Sequence, residues 1–288
     1  MKISEIFNQK KPSLSFEVFP PKNSEAYESV KTSIEKIALL KPDFMSVTYG
    51  AGGGTSVFTS QIAADIQKKF GVSSLAHLTC ISSNKEAVKK QLEVLKKNGV
   101  ENILALRGDI LPDAPKNREF EHASDLIKEI KKSGDFCIGG ACYPEGHPDS
   151  PTQKEDIVHL KEKVDCGLSF LTTQMFFDNN ILYNFLYKIR EAGITVPIVA
   201  GIMPVTHAKQ IKRICELSGT VLPRRFTAII DRFGNDEQKM TEAGIAYATD
   251  QIIDLYANGV NAVHVYSMNK PYVAEKILEN LSCILERK

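Results

Sequence analysis

Glu17 stands inside the apolar run Leu14-Ser15-Phe16-Glu17-Val18-Phe19, which reads as a β-strand. A carboxyl group placed there is costly to bury unless it is paired or neutral. Burial raises a carboxyl pKa, which suits a general acid, whereas pairing would make Glu17 half of a structural ion pair. Three further apolar runs end in polar residues: Thr48-Tyr49, His77 and Arg107-Gly108-Asp109. In the last, Gly108 lets backbone come close to a ligand. Arg107 and Asp109 beside it can bind a phosphate and a polar heterocycle. As a bare tripeptide this is a weak signal, and its place after an apolar strand gives it weight. His77 alone reads equally well as a hydrogen-bonded core histidine. Tyr143 and His147 bracket the exit of a fifth run, and Gln174 closes a sixth. A neutral amide there can read the edge of a base-like ring through paired hydrogen bonds.

The elements that carry these residues alternate. Strands are expected over residues 14–19, 43–49, 74–80, 102–106, 136–143, 169–174, 197–202 and 262–266. Helices are expected over 3–8, 25–40 with Ser24 as its cap, 60–70, 84–98, 122–132, 153–166, 179–192, 207–217, 237–257 and 272–285. The strands are near-continuous apolar runs, as parallel strands buried on both faces are. Eight βα units without a second compositional regime predict an α/β chain closed into a single (β/α)8 TIM barrel over residues 1–288, with an N-terminal helix. The interval between the last two strands is too long for one helix, so a helical insertion is expected around residues 223–235. In such barrels the chemistry sits at the C-terminal strand ends, where the polar clusters fall.

The 288 residues are 43% hydrophobic and 25% charged, with a net charge near +1. That is ordinary globular composition, without the field that would draw nucleic acid or an anionic membrane. The N-terminus lacks the apolar core of a signal peptide, and no stretch approaches a membrane span, so a cytoplasmic protein is expected. The six cysteines contain no C-x-x-C pair and read as reduced, small core residues. No G-x-G-x-x-G turn, phosphate-binding P-loop or H-E-x-x-H helix is present. No lysine lies inside a strand as a Schiff-base nucleophile would, Lys270 after the eighth strand being nearest. His77, His147 and Asp109 have no helical ligand spacing, and no metal site is assigned.

Taken together and in order, Ser-Phe-Glu-x-Phe-Pro-Pro-Lys, Ser-Val-Thr-Tyr-Gly-Ala, His-Leu-Thr-Cys, Leu-Arg-Gly-Asp, Tyr-Pro-Glu-x-His-Pro and Thr-Gln-x-Phe-Phe-Asp resemble the methylenetetrahydrofolate reductase family over essentially the whole chain. The resemblance implies a barrel holding FAD noncovalently and a two-step exchange at one site. NADH or NADPH reduces the flavin and leaves, then 5,10-methylenetetrahydrofolate takes its place and is reduced to 5-methyltetrahydrofolate. This places the chain in one-carbon metabolism, tetrahydrofolate interconversion and methionine biosynthesis. It implies that Glu17 protonates N10 of the folate, that Asp109 anchors the pterin and tunes the flavin, and that Gln174 bonds the pterin and assists the nicotinamide. Thr48, Tyr49, Ala51, His77, Arg107, Gly108, Asp109, Ala123, Tyr143, His147, Asp156 and Lys163 match flavin-contacting positions, and Gln210 and Lys270 fall on the substrate side.

Against better-known bacterial members, His122 replaces a Tyr, Ile214 a Phe that packs on ligand, and Lys270 an Arg. Ser150, His159 and Glu162 differ on the phosphate side. These departures bear on the nicotinamide donor and on ligand stacking. They are compatible with an alternative in which an accessory subunit supplies the electrons. A further alternative is a pterin-binding barrel without redox chemistry, which would leave Arg107 and Lys163 without a ligand. The resemblance also implies a homo-oligomer and, since the chain stops one helix after the eighth strand, no C-terminal regulatory domain.

Overall fold

The computed structural model describes residues 1–21, 23–49, 56–110 and 118–287. Eight parallel strands pair in sequence order and close on themselves. They are β1 (Ser13–Val18), β2 (Phe44–Val47), β3 (Ser73–Thr79), β4 (Asn102–Leu106), β5 (Cys137–Cys142), β6 (Phe170–Thr173), β7 (Ile198–Ile202) and β8 (Ala262–Tyr266). Closure is made by β1 and β8, with Ser15 opposite His264 and Glu17 opposite Tyr266. The expected (β/α)8 barrel is therefore present, and most strand boundaries shift by one or two residues.

The helices are α1 (Ile3–Phe7), α2 (Tyr27–Leu39), α3 (Ser56–Phe70), α4 (Lys85–Lys97), α5 (Ala123–Ser133), α6 (Gln153–Asp165), α7 (Asn179–Glu191), α8 (Ala208–Ser218), α9 (Arg224–Phe233), α10 (Glu237–Ala257) and α11 (Pro271–Leu281). Local chemistry sets many of their starts. Asn84, Thr152, Asp178 and Asp236 each accept a hydrogen bond from a backbone N–H in the first turn of the following helix. Ser24 does not cap α2. Asn23 bonds Ala26 instead, and the helix begins at Tyr27 with no side-chain cap.

Two layers of packing frame the site. At the barrel's N-terminal end α1 plugs the opening: Ile3 and Ile6 pack with Phe44, Leu75, Leu104 and Phe170, and the Phe7 ring meets Phe44 and Phe170 edge-on. This makes a dry floor. At the C-terminal end, the expected insertion is α9. It joins α8 and α10 in a satellite core where the Phe226 ring lies 4.9 Å from Phe177 and 4.6 Å from Tyr247. That core holds α8 beside the barrel mouth.

Candidate active site

Side chains on a strand alternate between its two faces. Along the barrel interior the inward residues pass from apolar to polar on β3 and β6 and are polar throughout on β1 and β8. On β1 they are Ser15, Glu17; on β3, Leu75, His77; on β6, Phe170, Thr172, then Gln174; on β8, His264, Tyr266. The upper members line a cavity of about 530 Å³, with Leu75 and Leu104 as its floor and Ile214, Leu217 and Ser218 of α8 as a side wall. Glu17, Thr48, His77, Arg107, Asp109, Tyr143, His147 and Gln174 all open into it. The expected residues from six strand ends are thus brought together.

Glu17 keeps 22% of its side-chain surface open. Its carboxyl is enclosed deeply enough that burial raises its pKa to about 8, opposed by the Ser46 hydroxyl within hydrogen-bonding reach. It is therefore mainly protonated at neutral pH. His77 lies 3.7 Å from it, and burial lowers the histidine to about 3, so the ring is neutral. Its Nε2 and the Thr172 hydroxyl are buried without a hydrogen-bond partner among the described residues. Both belong to residues lining the cavity, where a polar ligand would complete them. Gln174 receives the Met175 N–H on its Oε1 at 2.9 Å, which leaves its NH2 group for a ligand. Tyr266 donates to Thr173 O at 2.6 Å, and burial holds its phenol well above its ordinary value.

A second cavity of about 270 Å³ adjoins the first and shares Arg107, Asp109, Tyr143 and His147 with it. Tyr49, Gly108, Ala123 and Lys163 complete its expected lining. Gly108 has φ +87°, and a Cβ there would come within 3.0 Å of Thr79, so glycine is required on both counts. Lys163 donates to Ala141 O at 2.5 Å, and burial lowers its pKa. Arg107 donates to Asp149 at 2.7 Å. Asp149 is 60% exposed, so this pair contributes at most about 1 kcal/mol and yields readily to a better anion. Asp156 is placed behind the wall, where its carboxylate accepts from the His147 N–H at 3.2 Å and fixes that loop. The His147 Nδ1 accepts from the Asp149 N–H, so the ring's remaining hydrogen is on Nε2.

Among the described residues, three expected ones line neither cavity: Asp156 behind the wall, Gln210 and Lys270. Gln210 is exposed on α8, one turn before Ile214. Lys270 caps α11 and gives its ammonium to Thr206 at 2.7 Å and His207 at 2.8 Å. Ala51 lies outside the described residues. Conversely, Ser46, Asp149, Thr172, His264 and Tyr266 belong to the site or its support and were not singled out by sequence. For His264 and Tyr266 a local signal was available, since polar residues alternate with apolar ones in Val263-His264-Val265-Tyr266.

The family model for methylenetetrahydrofolate reductase matches residues 2–282. The chain belongs to the methylenetetrahydrofolate reductase family. It is 35% identical to the 5,10-methylenetetrahydrofolate reductase of Escherichia coli, with 93% of this chain and 90% of that protein covered. It is 36% identical to the methylenetetrahydrofolate reductase (NADH) 1 of Zea mays over its full length, and spans 51% of that longer protein. Among solved structures it resembles a Clostridium thermocellum protein that binds two copies of 5-methyl-5,6,7,8-tetrahydrofolic acid. That likeness has a TM-score of 0.69 at 13% identity, covers 99% of each chain, and speaks to the fold alone. Within the methylenetetrahydrofolate reductase family frame, the departures separate by place. Ile214 lies in the main cavity wall. His122 caps α5 at the edge of the second cavity, where Asp125 accepts from its backbone N–H. His159 and Glu162 are exposed on α6.

Proposed function

We propose that this chain reduces 5,10-methylenetetrahydrofolate to 5-methyltetrahydrofolate with noncovalently bound FAD and NADH or NADPH as donor, the two substrates using one cavity in turn. What supports the reading is a carboxyl set deep at a strand end, beside polar atoms that no described residue partners, in a cavity that shares Arg107, Asp109, Tyr143 and His147 with a cationic neighbour. The residues fit a flavin dinucleotide. Arg107 and Lys163 would take the pyrophosphate, the Gly108 turn admits close backbone approach, and His77 and Thr172 offer hydrogen-bonding atoms that no described residue uses. FAD, when bound, would accept a hydride from the nicotinamide and give it to the folate.

The chain's own groups supply the rest. Glu17 donates its proton to N10 of the folate and so opens the five-membered ring to reduction. Its site keeps that proton through neutral pH because water is largely excluded. Asp109, exposed at the junction of the two cavities, bonds the pterin. Gln174 presents its NH2 group to a ring edge, and the aliphatic wall of Ile214 and Leu217 excludes water from one side.

The test is the visible spectrum of the purified protein before and after anaerobic NADH or NADPH. Flavin bands that bleach with either donor are expected. Bands that persist with both, but bleach with a low-potential donor, move electron supply to a partner subunit. That is the outcome a cavity wall carrying Ile214 would then explain. A colourless protein that takes up no added FAD contradicts the reading.

A further inference from the structure

Arg107 stands at the junction of the two cavities, and a carboxylate of its own chain already faces it. Its Nη2 donates to Asp149 at 2.7 Å and its Nε to Gly108 O at 3.3 Å. A braced turn presents that carboxylate. The Asp149 N–H donates to His147 Nδ1 at 3.0 Å, and the Ser150 N–H to His147 O at 2.9 Å. The His147 N–H in turn donates to Asp156 at 3.2 Å, and its ring meets Tyr143 edge-on with centroids 4.5 Å apart. The loop that lines the cavities with His147 therefore also places Asp149 on Arg107.

The two partners differ in what separation costs them. The Arg107 side chain is 28% exposed and that of Asp149 60%. A carboxylate as open as Asp149 regains water on release, so losing its partner costs it little. A guanidinium as enclosed as Arg107 needs a counter-charge, the more so because it shares the second cavity with the Lys163 ammonium. Among the described residues Asp149 is the only carboxylate paired with Arg107. Asp156 accepts from the His147 N–H, and Asp109 is exposed. A phosphate group, with more charge and more acceptor oxygens than a carboxylate, is the stronger partner for a guanidinium.

We propose that Asp149 is a displaceable counter-ion for Arg107: it neutralises the guanidinium in the flavin-free protein, and Arg107 leaves it for the cofactor's pyrophosphate on binding. Asp149 is a positioning residue, acting through Arg107, that sets how tightly the cofactor is held. By stabilising the flavin-free form it lowers the affinity, because only molecules with Arg107 released are ready to bind. The exchange at Arg107 then returns the difference between two anions and not the full strength of the new pair. The same contact keeps the two cations of the second cavity from facing each other without a counter-charge.

The inference rests on the reading above, in which the second cavity takes the flavin's pyrophosphate. Its test reads binding and stability, not turnover. FAD is titrated into flavin-free wild type, D149N and D149A while flavin fluorescence is followed, and each protein is unfolded in denaturant with and without saturating FAD. Asn keeps the shape of the side chain, and both variants keep the backbone bond to His147. D149N is expected to bind FAD about two- to fivefold more tightly than wild type, and D149A at least as tightly as D149N. The unfolding midpoints of the flavin-free variants are expected to fall below wild type at unchanged slope, and those of the loaded proteins to coincide. If Asp149 only repels the phosphate, tighter binding comes instead from loaded variants more stable than loaded wild type, with the flavin-free proteins alike. If Asp149 holds Arg107 in place for the phosphate, the variants bind FAD more weakly. Either pattern, or an unchanged affinity, overturns the proposal. A wild type that takes up no FAD fails the functional reading and the proposal together, whereas uptake with the wrong order of affinities fails the proposal alone.

Discussion

At the scale of single residues, the site rests on one carboxyl whose environment reverses its ordinary charge. A surface glutamate is ionised at neutral pH, and Glu17 is not, because its carboxyl is enclosed between β1, β2 and β8. The rate of the folate half-reaction is therefore expected to be flat below pH about 8 and to fall roughly tenfold per unit above it. Single-turnover rates of 5-methyltetrahydrofolate formation from pH 6 to 10, taken in steps of about half a unit, would show this. A profile that declines from pH about 5 upward would mean that Glu17 titrates as an ordinary carboxyl. The second residue-scale feature is the cation pair of the adjoining cavity. Lys163 is bound to a carbonyl and Arg107 to an exposed carboxylate, so neither is committed to a strong internal partner.

At the scale of elements, strand ends bring these groups together and the inward alternation sorts them. β7 contributes through what it lacks. A Cβ at Gly201 would lie 2.4 Å from both Thr173 O and the Tyr266 hydroxyl, so glycine is what permits the Tyr266–Thr173 bond across the barrel mouth. G201A is expected to lower the stability by about 1–3 kcal/mol, read as a shift in denaturant midpoint at unchanged slope. An unshifted midpoint would contradict the close packing at the barrel mouth. The same alternation explains what sequence could and could not reveal. Strand existence and order, the insertion carrying α9, and most of the cavity wall were legible, because apolar runs and the polar residues at their ends are local signals. Ser46 and Thr172 were not picked out, since a hydroxyl inside an apolar run acquires meaning only when neighbouring strands place partners opposite it, and His264 was passed over although it alternates with Val263 and Val265. Gln210 and Lys270 followed from family likeness, and here the structure sets Lys270 against Thr206 and His207, outside the cavity walls. The Ser24 cap failed because Asn23 nearby offers a competing local bond.

At the scale of the whole molecule, a barrel plugged by α1 and walled by α8 to α10 encloses ionisable groups, and that enclosure must be visible in its stability. The Glu17 pKa is raised from 4.5 to about 8, so between those values the folded chain retains a proton that the unfolded chain has lost. Stability from this source is present below pH about 4.5 and is lost as pH rises through about 8. His77 and His264 act in the opposite sense: lowered from 6.5 to about 3, they contribute stability above pH 6.5 that is lost as pH falls toward 3. Relative to wild type, E17Q is expected to gain stability progressively from pH about 4.5 to about 8 and by a constant amount above that, on the order of a few kcal/mol. Chemical denaturation across that range checks it, and a pH-independent difference would contradict the enclosure of Glu17. The most direct measurement is the second half-reaction alone. Wild type and E17Q, each loaded with FAD and reduced anaerobically, are mixed with 5,10-methylenetetrahydrofolate while the flavin absorbance is followed. Both proteins are expected to bind flavin and to be reduced alike, wild type to recover its absorbance and yield 5-methyltetrahydrofolate, and E17Q to recover at least about a hundredfold more slowly. Equal recovery in the two proteins would contradict the general-acid role of Glu17.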